Sequence, residues 1–304
     1  PVINTRSFGE DPVKVADKVI AYASGLESGK VLSVCKHFPG HGDTDVDSHK
    51  ALPVLPFTRE RLDSVELYPF KEAIRAGVSG MMVGHLQVPV IEPIGDLPSS
   101  LSRNVVYGLL TEELAFKGLI FTDALAMKGV AGNKSVCLQA LQAGNDMVLA
   151  PRRLKEEMDA VLEAVEKGEL PEEEINAKCR KVLTYKYILG LERKPFVKLS
   201  GLGTRINTPQ TRDLISRLNL AAITVLNNKN DVLPLHPDLK EAAILNVGKP
   251  EEIEPFDRKM KKYTSFARFQ LRKDLPEAEQ QKLRDSLAAY RRVIAVSYTH
   301  LTLP

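Results

Sequence analysis

The sequence of 304 residues has no tryptophan, only three cysteines, no long apolar run and almost no excess of charge of either sign. Cys35, Cys137 and Cys179 are odd in number and far apart, which excludes a disulfide framework and the close spacings of a zinc site. They read as core thiols. No stretch approaches the roughly 18 consecutive apolar residues of a membrane span, so none is expected. Forty-two Lys and Arg stand against 39 Asp and Glu, leaving +3, and that balance gives nucleic-acid binding no support. One short basic run, Arg258, Lys259, Lys261 and Lys262, has acidic neighbours and reads as a solvated helix face. What remains is an ordinary globular composition, 43% hydrophobic, long enough for one large or two medium domains.

Along the chain, strand and helix signals alternate. Asp11 as N-cap and Pro12 at the first turn predict a helix to Ser28, followed by a buried strand over 31–38. Thr58 caps a helix bearing Leu62, Val65, Phe70 and Ile74, and 78–86 forms the next strand. Ser102 opens a helix with Val105, Val106, Leu109, Leu110 and Leu114 on one face, leading to a strand over 118–125. A helix near 134–143, a strand over 145–151 and helices over 152–167 and 172–189 complete this part. Near-continuous apolar strands between helices predict an α/β fold with a parallel sheet. Lys36, His37, His85 and Asp123 all fall at C-terminal strand ends, where both a (β/α)8 barrel and a doubly wound sheet place their ligands. Residues 194–208, rich in Pro, Gly and Thr, read as a linker. Beyond it a helix from Thr208 to about Leu220, strands at 221–226 and 242–247, and a helix from Pro276 toward "RRVIAV" predict a second α/β unit over 209–295.

The densest chemistry lies in "KHFPGHGDTDVDSH", residues 36–49. A calcium loop counted from Asp43 needs Gly at its sixth and Glu at its twelfth position, and finds Ser48 and Val54. His37, His41 and His49 lack the two-ligand helical spacing of a zinc site. No metal is therefore expected. Glycines at 40 and 42 instead allow a sharp turn after a strand, and Asp47, two residues from His49, is placed to orient that imidazole for acid/base work. Asp123 ends an apolar strand and reads either as a nucleophile or as the N-cap of "ALAMKGV".

The stretches "NTRSFGEDP", "KHFPGHGDTDVDSHKALP", "GLIFTDALAMKGV" and "AGNDMVLAP", in this order, resemble family 3 glycoside hydrolases of the β-N-acetylhexosaminidase branch. The resemblance covers residues 1–195 well and weakens after 205. It implies the C-terminal half of a (β/α)8 barrel over 1–193 and the beginning of an α/β sandwich domain over 209–295. It also implies retaining hydrolysis of terminal β-linked N-acetylglucosamine from peptidoglycan-derived saccharides, without a cofactor. Asp123 would be the nucleophile, His49 the acid/base and Asp47 its partner. Arg6, Lys36 and His37 would bind the sugar, with His85 and Asp43 lining the same pocket. A phosphorylase using the same residues is the near alternative. Family 3 β-glucosidases are the other, but they carry Trp after the nucleophile, where this chain has Ala124. The abrupt start and the last residues, 296–304, which resemble a translated sequencing adapter, read as a fragment, inactive alone, with a non-native tail. Location and oligomeric state stay open, a peptidoglycan substrate leaning toward the periplasm or beyond.

Overall fold

The computed structural model describes residues 3, 6–44, 51–130, 132, 135–193, 196–235, 242–248, 250–263, 265–272 and 274–297, with side chains at 250–253 left aside. The chain divides into two compact units, Pro1–Val197 and Lys198–Pro304.

In the first unit, four strands form a parallel sheet in the order β1 (Val34–Phe38), β2 (Gly80–Val83), β3 (Leu119–Ala124), β4 (Met147–Leu149). The helix before β1 spans Pro12–Ser28, and Asp11 caps it by accepting from Val13 N at 3.0 Å and Lys14 N at 2.9 Å. Its buried face carries Ala16 and Ala23. Thr58 caps the next helical segment, accepting from Arg61 N. That segment widens over Leu62–Glu66, where Leu67 N reaches Leu62 O, and continues as the helix Tyr68–Arg75. A second wide-turned helix, Asn104–Glu113, buries Val105, Val106, Leu109 and Leu110. Helices Val136–Ala143, Leu154–Glu166 and Glu172–Ile188 come next.

The core gathers Phe38, Leu55, Leu62, Leu67, Met81, Val83, Val105, Leu110 and Ile120, each almost free of solvent. Each such side chain contributes about 1.5–3 kcal/mol of hydrophobic stabilisation. Phe38 meets Phe70 edge-on, ring centroids 5.4 Å apart. Close strand approach demands small residues: a Cβ at Gly118 would lie 2.4 Å from Ser79 O.

The N-terminal edge of the sheet is fastened by two carboxylates. Glu27 accepts from Ser33 N and Oγ before β1 and from Ser79 N and Oγ before β2, at 2.6 to 3.2 Å. Burial pushes the Glu27 carboxyl up, but the four donors outweigh it and its pKa is lowered. Asp146 accepts from Ile120 N at 2.8 Å and Lys181 Nζ at 2.6 Å, tying β3 and the last helix to β4.

The cysteines differ in part from expectation. Cys35 and Cys137 are buried, and burial, with Glu27 and Glu157 nearby respectively, pushes their thiols to about 11 and about 12. Cys179 is exposed on its helix, whose half-buried side carries Lys178, Lys181, Val182 and Tyr185 instead.

In the second unit, β5 (Ala242–Val247) lies between β6 (Ala267–Leu271) and β7 (Arg292–Ser297), all parallel. Ala242, Ile244 and Phe266 form its core with Phe256, Met260, Ile294 and Val296. The strand expected at 221–226 is not formed. Residues 221 and 222 finish the helix Pro209–Ala222, and 223–226 join no sheet. Ile223, Val225 and Leu226 are exposed; β-branched composition makes a strand only where a neighbouring edge accepts its hydrogen bonds. A short helix, Leu202–Ile206, forms within the expected linker. Residues 298–304, most of the expected tail, lie outside the described residues.

Candidate active site at the C-terminal edge of the sheet

Both strands that carry the candidate chemistry depart from regular pairing at the residue concerned. Between β1 and β2, Lys36 pairs with Met82 and Phe38 with Val83, so His37 is an extra residue in its strand. Between β3 and β4, Phe121 pairs with Met147 and Ala124 with Leu149, three steps against two, and Asp123 lies in that interval. Bulges of this kind re-aim side chains at strand ends. Here they bring His37 Nε2 to 3.6 Å from Asp123 Oδ2, with both side chains largely buried.

The charges around the pair define its character. Burial pushes the His37 imidazole down, to about 4, against the opposing pull of the Asp123 carboxylate; Lys36, His41 and Arg6 push it the same way as burial. His37 is therefore a neutral ring near pH 7, able to donate or accept a hydrogen bond but not to neutralise Asp123. Lys36 and Arg6, both exposed, supply positive charge from the rim. Asp123 Oδ1 accepts from Ala124 N at 2.8 Å, a local bond that fixes the carboxylate while Oδ2 faces His37. A hydroxyl brought beside the two side chains would find a donor in His37 and an acceptor in Asp123.

The turn after β1 closes tightly, with Gly40 N and His41 N both donating to His37 O. Gly40 has φ +145°, and a Cβ there would stand 2.6 Å from Glu66 Cβ, so the turn requires glycine. Glu66 is buried beneath it and paired with Arg61 at 2.9 Å. His41 bonds Thr44 through Nδ1 at 2.8 Å and sets its ring 6.0 Å from that of His37, nearly perpendicular.

Of the residues expected from the sequence, His37 and Asp123 come together, and the charges of Lys36 and Arg6 act on the His37 ring. Asp43 does not join them: its carboxylate pairs with Arg61 at 3.3 Å, as part of the loop's anchorage. His85 is also placed differently from a pocket-lining residue. It is 1% exposed, with Nδ1 at 2.7 Å from Ser100 Oγ and Nε2 at 3.0 Å from Ala124 O. Asp47 and His49 lie outside the described residues. Among the described residues, no group of three or more His, Cys, Asp or Glu is arranged to hold a metal ion, and no helix is long and apolar enough to cross a membrane.

Residues 1–185 match the glycosyl hydrolase family 3 N-terminal domain. The chain belongs to glycosyl hydrolase family 3. Beta-hexosaminidase A of Pseudoalteromonas piscicida is 34% identical over 257 residues, which are 77% of this chain and 42% of that protein. Among solved structures, a family 3 beta-N-acetylglucosaminidase from Paenibacillus sp. str. FPU-7 is 32% identical with a TM-score of 0.80, over 98% of this chain and 59% of that one. A beta-glucoside phosphorylase, BglX, bound to 2FGlc, is 25% identical with a TM-score of 0.83, over 98% and 57%. This chain thus spans about half the length of the relatives it matches.

Within this family 3 chain, three residues of the site carry no role that their sequence context reveals. His41 is visible as a histidine between two glycines, but nothing in its spacing points to His37 rather than to a metal. Arg61 and Glu66 look like any charged helical pair; their part in holding the turn depends on Gly40 resting against Glu66, a contact between segments 26 residues apart in number.

Proposed function

We propose that the protein is a retaining glycosidase that removes terminal β-linked N-acetylglucosamine from peptidoglycan-derived saccharides, the first unit being half of a (β/α)8 barrel and 209–295 part of an α/β sandwich domain. The observation that carries the reading is the largely buried pair His37 and Asp123 at the sheet's C-terminal edge, with the positive charges of Arg6 and Lys36 beside it. In the first step Asp123 attacks the anomeric carbon, forming a glycosyl ester as the glycosidic C–O bond breaks, and His49 gives its proton to the departing oxygen. In the second, neutral His49 takes a proton from water, which displaces Asp123 and frees the sugar. Asp47 orients the imidazole in both steps. Neutral His37, Lys36 and Arg6 bind sugar hydroxyls without protonating Asp123.

The family membership and the hexosaminidases among the relatives support the substrate class. The test is Asp123→Ala in the complete protein, which lowers turnover of an aryl N-acetylglucosaminide by at least ~1,000-fold. Unchanged turnover removes the nucleophile assignment. Formation of sugar 1-phosphate when phosphate is added would replace water by phosphate as the acceptor and leave the residue roles standing.

A further inference from the structure

The inference rests on the proposed role of Asp123 and concerns the groups that hold that side chain in place. Because Asp123 Oδ1 accepts from Ala124 N, its carboxylate is tied to the next peptide in the chain. That segment is held from both sides. Ala124 O accepts from His85 Nε2, just beyond β2, and from Met127 N at 3.0 Å. Leu125 N donates to Leu149 O in β4 at 2.8 Å. Beyond β4, Arg152 grips Ala126 O with Nε at 2.9 Å and Nη2 at 2.7 Å.

The histidine's protonation pattern is set by its partners. A carbonyl only accepts, so Nε2 carries the hydrogen toward Ala124 O, and in the neutral ring Nδ1 accepts from the Ser100 hydroxyl. The Ser100 carbonyl in turn accepts from Asn145 Nδ2 at 2.8 Å, and the same amide reaches Ala140 O at 2.8 Å. Ser100 and Asn145 are fully buried and His85 nearly so. We infer that His85 is a positioning residue: through the Ala124 carbonyl, and with Arg152 on Ala126, it fixes the peptide that aims the Asp123 carboxylate toward His37.

A misplaced nucleophile weakens the transition state more than ground-state binding, so the expected signature is a fall in kcat with KM nearly constant. The variants are His85→Leu, His85→Gln, whose amide nitrogen can replace Nε2 as donor, and Arg152→Met. They are read by turnover of an aryl N-acetylglucosaminide in the complete protein and by NMR titration of the His37 ring without substrate. His85→Leu is expected to lower kcat by ~10- to 100-fold with KM within ~3-fold, and to displace the His37 titration as its distance from Asp123 changes. His85→Gln restores both, and Arg152→Met acts in the same direction, more weakly. The inference is overturned if His85→Leu leaves kcat and the titration unchanged, if it raises KM with kcat intact, or if His85→Gln is no better than His85→Leu. Should His85→Leu fail to fold, the exposed Arg152→Met decides, since it empties no core space. A wild-type protein without turnover would count against the Asp123 reading, and the titration would still answer for His85.

Discussion

Acid should weaken this fold through one identifiable histidine. Burial pushes the His37 ring down from 6.5 to about 4 in the folded chain, and among the described residues Asp123 is the group that opposes it. Between those values the unfolded chain binds a proton that the folded chain refuses. Stability contributed by keeping the ring neutral is therefore complete above about pH 6.5, falls as pH drops toward 4 and levels off below. A gap of about 2.5 units at 1.36 kcal/mol each amounts to about 3 kcal/mol. Six histidines are present, so the assay is a difference: urea unfolding of the wild type and of His37→Asn from pH 4 to pH 8, monitored by far-UV circular dichroism. The wild type should lose about 3 kcal/mol relative to the variant over the window. Asp123→Asn should move the His37 titration lower still, because it removes an opposing charge and leaves the burial. A difference that stays flat from pH 8 to pH 4 would show that the ring is protonated or well hydrated in the folded state, and the account of a neutral His37 would fall with it.

Two further perturbations test the frame around the site. Gly40→Ala combines a strained φ with a collision at Glu66 Cβ and should cost ~1–3 kcal/mol, whereas Gly42→Ala, with nothing within 4 Å of its added Cβ, should stay within ~0.5 kcal/mol; equal urea midpoints for the two would refute the packing argument. Asp146→Ala leaves the Ile120 amide and Lys181 without their shared, almost buried acceptor and should cost ~3 kcal/mol, read as a lowered midpoint with unaltered sugar affinity.

Much of the helix and strand order was legible because its signals are local. Asp11, Thr58 and Thr208 announce helix starts by their own side chains, and each caps as expected. Polar residues at the ends of apolar strands pointed to the edge where His37 and Asp123 meet. The parts that were not legible depend on contacts between distant segments. His85 looks in sequence like another strand-end histidine, and its burial becomes apparent only when Ser100 and Ala124 close around it. Asp43 belongs to an acidic series, yet its partner is Arg61. The segment 221–226 has the composition of a strand without an edge to receive it, while β6, "ARFQL", carries a weak alternation and gains its place from pairing with β5.

The extra residues in β1 and β3 imply an uneven tolerance to change. Substituting an exposed neighbour such as Lys36 leaves the pairing in place, but deleting a single residue there would restore even pairing and rotate the downstream residues to the opposite face of the sheet. Chain length at these two points is therefore under tighter constraint than chain composition. A deletion scan through 34–38 and 119–124 should find its sharpest losses at the irregular steps, in residues whose individual replacement the fold survives.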